Sequence, residues 1–154
     1  MSRPRKVKLA ATRVVGPNHA VLTLHSEGGR AHLHRREVCA ECPWRLDSPL
    51  GRFPAGAYAA SAPTAYDASF HTFSCHMSGA DRPATCAGFI LQQGVHNIGV
   101  RIALAYRGLD LGKIKRTVPL FETYRAMAVA NGVAPDDPAL ALCRDDAQVD
   151  EPEA

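Results

Sequence analysis

Cys39-Ala40-Glu41-Cys42-Pro43-Trp44-Arg45 is the stretch of this 154-residue sequence that most constrains its fold. A Cys-x-x-Cys turn lets two thiolates bind one metal ion from a single tight loop. Two further cysteines follow, with 32 residues between Cys42 and Cys75 and ten between Cys75 and Cys86. The second pair would complete a tetrahedral ligand set and tie distant segments together. The sequence therefore predicts one metal centre ligated by Cys39, Cys42, Cys75 and Cys86.

The spacing leaves the nature of this centre open. A structural zinc ion needs four nitrogen or sulfur ligands and no open position, and His76 is an alternative ligand to the adjacent Cys75. The same four thiolates suit a [4Fe-4S] cluster. Plain reduced cysteines are the third interpretation. A two-plus-two spacing favours a bound metal over that last alternative.

Two residues beside the first cysteine pair are candidates to surround the centre. Trp44 is the only tryptophan in the chain and would shield the centre from water. It is equally natural as an ordinary core residue. Arg45 would offset the negative charge that four thiolates leave on a divalent ion.

Three sequence words resemble an uncharacterised family of small bacterial and bacteriophage proteins, a domain of unknown function with four shared cysteines. The words are Cys-x-x-Cys-Pro-Trp-Arg, then Phe-x-Cys-His, then Cys-Ala-Gly. The resemblance covers about residues 38–132 and implies a shared metal-binding core. Met77 departs from the pattern, in which a basic residue often follows Cys-His. The matching residues are Cys39, Cys42, Pro43, Trp44, Arg45, Phe73, Cys75, His76, Cys86, Ala87 and Gly88.

Local patterns predict an α+β domain with an N-terminal β-hairpin and C-terminal helices. Two strand-like runs flank the turn-forming residues 16–19, which indicates a hairpin over about residues 7–25. A short helix is expected over 53–60. Residues 88–109 fit either a strand or a helix, and we favour one long helix. A last helix is predicted from a cap at Thr117, with Pro119 in its first turn, to Asn131-Gly132.

The composition indicates one small metal-stabilised domain over residues 1–142. A hydrophobic content of 46% is enough for a core. Because the aromatic content is only 6%, a bound metal could stabilise the fold where apolar burial does not. Residues 143–154 contain one base and five acids and are predicted to be a disordered tail. The fifth cysteine, Cys143, is expected to pack on a short helix that begins at Pro138.

The sequence also suggests a compartment. No stretch approaches the roughly 20 apolar residues that span a bilayer, and no secretory signal is evident at the start. We therefore expect a cytoplasmic protein with no membrane association. Thiols stay reduced there, so clustered cysteines indicate metal ligands rather than disulfides.

Charge points to a macromolecular partner. Without the acidic tail, 17 bases face 10 acids. Such an excess attracts nucleic acid phosphates, although a protein partner or merely solvated loops would also explain it. The bases form three clusters, namely Arg3, Arg5, Lys6 and Lys8, then Arg30, His32, His34, Arg35 and Arg36, then Lys113, Lys115 and Arg116.

The sequence gives little support to an enzyme. It has no evident carboxylate pair, nucleophile with a base, or phosphate-binding glycine loop. His25-Ser26-Glu27 followed by Cys39 and Cys42 imitates a zinc deaminase, but the separation is too short. The leading hypothesis is a structural zinc module that presents a basic surface to a partner such as nucleic acid. The alternatives are an iron–sulfur redox sensor or regulator and, least supported, a metal-dependent enzyme.

Overall fold

The computed structural model describes residues 3–145, which form a β-hairpin followed by short helices. The elements are β1 (Lys6–Gly16), β2 (His19–Glu27), α1 (Ala55–Ser61), α2 (Ala87–Gln93), α3 (Ile98–Tyr106) and α4 (Tyr124–Ala130). Single 3-10 turns lie at Ala62–Ala65, Gly94–His96, Leu111–Lys113 and Pro138–Leu140. The predicted α+β class with an N-terminal hairpin is confirmed. Most of the predicted acidic tail, from position 146 onward, lies outside the described residues.

The hairpin matches its predicted span closely. Strands β1 and β2 pair antiparallel, from Lys6 opposite Glu27 to Gly16 opposite His19. The register shifts between Leu9 and Ala11 and again near the turn, and such bulges increase the twist of a two-stranded ribbon. Most hairpin side chains are exposed, and none belongs to the main hydrophobic core.

Both ends of the hairpin are attached to the rest of the domain. Near the turn, Val15 approaches α1 so closely that a Cβ at Gly56 would lie 3.3 Å from the Val15 Cβ. At the open end, the Arg5 guanidinium donates to the carbonyl oxygen of Ala31 at 2.7 Å. Because an isolated hairpin is marginally stable in water, these attachments hold it in place.

The core is built around aromatic side chains from different segments. Trp44, Phe89 and Tyr124 are almost completely buried, together with Met127 and Leu140. The Tyr124 hydroxyl, at the start of α4, donates to the carbonyl oxygen of Tyr58 in α1 at 2.8 Å. A few large aromatic rings thus fill the core although the aromatic content of the chain is low.

The single helix expected over residues 88–109 is instead two helices, α2 and α3. The buried Asn97 lies between them, and its side-chain oxygen accepts from the backbone N–H of Val100 at 3.0 Å as the cap of α3. Its amide nitrogen donates to the carbonyl oxygen of His71 at 2.7 Å. The preference for helix over strand was right, but the break at Asn97 was missed.

The predicted start of the last helix was wrong by several residues. Helix α4 begins at Tyr124, and Thr123 rather than Thr117 is its cap, accepting from the Ala126 N–H at 3.0 Å. The preceding residues pair with the cysteine loop instead, because the Phe121 N–H donates to the carbonyl oxygen of Trp44 at 2.9 Å. Long-range pairing therefore overrides the local helix signal.

Candidate metal centre

Backbone hydrogen bonds hold the four cysteines in two places. Cys39 and Cys42 form a tight turn in which the Cys42 N–H donates to the carbonyl oxygen of Cys39 at 3.2 Å. The other two flank a short antiparallel pairing of segments, with the Cys75 N–H donating to Ala84 at 2.7 Å and the Cys86 N–H donating to Phe73 at 2.8 Å. Cys86 also immediately precedes α2. The fold thus fixes each cysteine by its own backbone.

The four side chains lie next to one another. The sulfurs of Cys42 and Cys86 are 3.5 Å apart. Cys39 interacts electrostatically with both Cys75 and Cys42. All but Cys39 are buried.

The cysteines match a zinc ion in donor chemistry and in one sulfur separation. Zinc–thiolate bonds of about 2.3 Å in a tetrahedron place any two sulfurs about 3.8 Å apart, close to the 3.5 Å between Cys42 and Cys86. As the side chains stand, however, no three His, Cys, Asp or Glu residues within 3–145 form a ready metal-binding group. Closing the contacts into a tetrahedral cage therefore requires side-chain adjustment on binding.

The sulfurs are surrounded by hydrogen-bond donors. Backbone N–H groups donate to three of them, from Glu41 to Cys39, from Trp44 to Cys42 and from Phe89 to Cys86. The Arg35 guanidinium donates to the fourth, the sulfur of Cys75, at 3.3 Å. Such donors stabilise metal-bound thiolates in known thiolate sites.

The cysteines do not ionise equally. The hydrogen bond from Cys86, helped by the Trp44 N–H, lowers the pKa of Cys42. The same bond and burial hold the pKa of Cys86 well above its ordinary value. Burial, with Cys42 and Cys75 nearby, raises the pKa of Cys39 to about 11. One thiolate is favoured at the expense of its neighbours, so four thiolates here would require a bound cation.

Gly88 allows the centre and the core to meet. It is the second residue of α2, and a Cβ at this position would lie 2.8 Å from the Trp44 Cβ and 3.2 Å from the Cys42 sulfur. Real Cβ atoms do not approach a neighbour as closely as 2.8 Å, so only glycine fits without displacement. Helix α2 therefore packs directly against the cysteine loop.

Trp44 and Arg45 have different surroundings. Trp44 is completely buried among Phe73, Phe89 and Tyr124, which makes it a core residue as well as a neighbour of Cys42. Arg45 forms a two-pronged ion pair with Asp47, with nitrogen–oxygen distances of 2.6 and 2.8 Å. Its charge still contributes to the lowered pKa of Cys42.

His76, the alternative ligand, contacts groups other than the sulfurs. Its Nε2 is 3.8 Å from a carboxylate oxygen of Glu41, and its ring meets Phe53 edge-on at a centroid distance of 5.2 Å. Burial is the main cause of its lowered pKa. These contacts favour Cys75 as the ligand and His76 as a side chain beside the Cys39–Cys42 turn.

Sequence reasoning missed three features of the site. It placed Arg35 in a basic cluster without expecting its hydrogen bond to Cys75. It quoted Gly88 within the Cys-Ala-Gly word without expecting the close approach to Trp44. It also gave no partner to His32, whose Nε2 lies 2.7 Å from the hydroxyl of Thr85, next to Cys86. Of these three features, only the close approach at Gly88 had an indication in the sequence, namely its place in the Cys-Ala-Gly motif.

His32 predicts a pH-dependent stability. Burial is the main cause that lowers its pKa from 6.5 to about 4. As the pH falls, the unfolded chain therefore binds this proton at a higher pH than the folded chain does. The stability contributed by neutral His32 is complete above pH 6.5 and is lost as the pH falls to about 4. We expect His32→Gln, which keeps a polar partner for Thr85, to lose less stability across this range.

Urea unfolding of both proteins at intervals from pH 7 to pH 4 measures the effect. Protonation of the four cysteines is common to both proteins, so the difference between the two pH profiles isolates His32. Parallel profiles would show that His32 takes up its proton in the folded state as well.

The described part of the chain places the first and the third predicted basic clusters next to the second. Arg5 from the first binds the carbonyl oxygen of Ala31 within the second. Lys115 from the third pairs with Glu37 at 3.3 Å, and its backbone N–H donates to Arg36. Basic residues that are distant in the sequence, Arg5 and Lys115, thus lie at the two ends of the segment 30–37.

The chain belongs to a family of unknown function (DUF6283), whose sequence profile matches residues 34–144. The match includes all four candidate ligands and the aromatic core but not the hairpin. It confirms the expectation of an uncharacterised family, whereas its bacterial and bacteriophage distribution and its shared cysteines stay predictions. Comparisons with curated proteins and with solved structures found no match.

Proposed function

We propose that this protein is a structural zinc module, in which Cys39, Cys42, Cys75 and Cys86 ligate one ion and the domain presents a basic surface to nucleic acid. The observation that carries the metal proposal is the convergence of four cysteines from segments up to 47 positions apart, with Cys42 and Cys86 in sulfur contact. Zinc would supply the positive charge that lets all four ionise. The chain's own N–H groups and Arg35 would orient the sulfurs.

The close contact favours one ion over a [4Fe-4S] cluster. In such a cluster each thiolate binds a different iron, which holds the protein sulfurs further apart than ligands of a single ion. The 3.5 Å between Cys42 and Cys86 suits ligands of a single ion. Burial of three of the four sulfurs also suits a closed structural site rather than a catalytic site with an open position.

The thiols also support the proposed compartment. All five cysteines, each within residues 3–145, are unpaired. No helix of this described part is long and apolar enough to cross a membrane. Free thiols persist in a reducing environment, and on that ground we propose the cytoplasm as the compartment of this protein.

The nucleic acid proposal rests on charge. Outside the tail the bases exceed the acids, and Arg5 and Lys115 from two of the basic clusters contact residues 30–37, which contain the remaining one. Phosphate contacts by Lys and Arg provide most non-specific affinity for nucleic acid. The folded domain would hold these basic side chains in fixed positions, and the metal ion would stabilise the fold.

Metal analysis with a visible absorption spectrum, on protein purified without oxygen, tests the centre. We expect about one zinc per chain and a colourless sample. Iron with acid-labile sulfide and a brown colour would replace this proposal with an iron–sulfur sensor or regulator. A folded protein with neither metal would overturn the four-cysteine centre altogether.

A further inference from the structure

Three arginines from distant parts of the chain lie close to one another. Arg5 and Arg107 donate to the same carbonyl oxygen, that of Ala31, at 2.7 and 3.4 Å. Arg82 and Arg5 line one cleft of about 400 Å³, which also includes the carboxylate of Asp81. After burial, the charges of Arg107 and Arg82 are what lowers the pKa of Arg5. Such a cluster of like charges is an anion-binding surface.

The positive surface continues past Arg82. This arginine also lines a second cleft of about 320 Å³, together with His34 and Arg35. Arg35 is held there by its hydrogen bond to the sulfur of Cys75. The two clefts thus share Arg82, and Arg35 of the second cleft contacts a proposed metal ligand.

An exposed aromatic residue directly precedes one of these arginines in the chain. Tyr106 is the last residue of α3, is followed by Arg107 and is 85% exposed. A tyrosine next to phosphate-binding basic side chains can act as a stacking platform, since every base presents a face to which an aromatic ring can bind. Those faces are accessible in a single strand but covered by their neighbours in a duplex.

We propose that this surface, made by Arg5, Arg82, Arg107 and Tyr106, binds single-stranded nucleic acid, with the guanidinium groups on phosphates and the tyrosine ring against a base. The inference rests on the proposed function and makes it specific. Arg5 precedes the segment that matches the family, so the N-terminal extension completes the surface in this chain.

Fluorescence anisotropy of the full-length zinc-loaded protein tests the strand preference. The probes are a labelled oligothymidylate of about 12 nucleotides and a mixed-sequence duplex of the same length. We expect the single strand to bind about tenfold more tightly than the duplex at equal salt. Equal affinity for the two probes would overturn the single-strand inference and leave the proposed function standing.

Substitutions at Tyr106 and Arg82 separate stacking from charge, and one at Asp81 tests the effect of its carboxylate. Tyr106→Ala should weaken single-strand binding about 5- to 150-fold with an unchanged salt dependence, whereas Tyr106→Phe should keep the affinity. Arg82→Gln should weaken binding and lower the slope of log K against log salt by about 0.7. Asp81→Asn should tighten binding. All three positions are exposed, so unchanged melting curves are expected.

Phe70→Ala is the matched control. Phe70 is 69% exposed, but it lies beside the first turn of α3 and thus at the opposite end from Tyr106. It should leave the affinity unchanged. A Tyr106→Ala protein with wild-type affinity would overturn the stacking site. Absence of binding to either probe at low salt would remove nucleic acid from the proposed function too, while the metal analysis would still decide the zinc centre.

Discussion

Replacing Cys42 with serine is expected to yield a chain that neither retains zinc nor folds. Cys42 is 1% exposed, and its sulfur lies 3.5 Å from that of Cys86. The apparent binding free energy of a structural zinc site, about 10–16 kcal/mol, is as large as the stability of a whole domain, about 5–15 kcal/mol. Loss of this ligand would therefore remove most of the free energy of folding.

Cys143→Ser is the matched control for this experiment. Cys143 is also buried, and its sulfur lies 3.9 Å from the carbonyl oxygen of Ala62, away from the four clustered cysteines. Circular dichroism and zinc content should both be normal for this variant and lost for Cys42→Ser. A folded, metal-free Cys42→Ser protein with a wild-type melting curve would rule out a structural zinc centre.

Local sequence signals located the hairpin because its determinants are local. The residues between Val15 and Ala20 form a turn, and the strands beside it pair with each other rather than with the core. The last helix shows the opposite case. Thr117 and Pro119 carry a valid helix-start signal, but Pro119 and Phe121 pair with Leu46 and Trp44, which no local pattern reveals.

The candidate site divides in the same way. Cysteine spacing selected four residues, of which the fold brings Cys42 and Cys86 into sulfur contact, and their role as ligands stays a prediction. The contacts of Arg35 with Cys75 and of Gly88 with Trp44 depend on how helix α2 and segment 73–86 pack. A single sequence without its fold places Arg35 only among other bases.

Trp44→Ala should destabilise the fold by about 3–5 kcal/mol even with zinc in excess. Trp44 is completely buried, and its indole lies within 6.4 Å, between ring centroids, of Phe73, Phe89 and Tyr124. Removing it leaves a cavity at the point where the cysteine loop packs against α2 and α4. Thermal melting should show a decrease of about 6–20 °C in Tm.

Trp44→Phe distinguishes ring packing from the polar group of the indole. The Nε1 atom of Trp44 is buried and has no hydrogen-bond acceptor among residues 3–145. Phenylalanine therefore gives up volume but no hydrogen bond, and its expected cost is only about 1–2 kcal/mol. A Trp44→Phe protein as unstable as Trp44→Ala would contradict this prediction. It would mean that the indole N–H donates a hydrogen bond in the native protein and that stability depends on this bond rather than on aromatic packing.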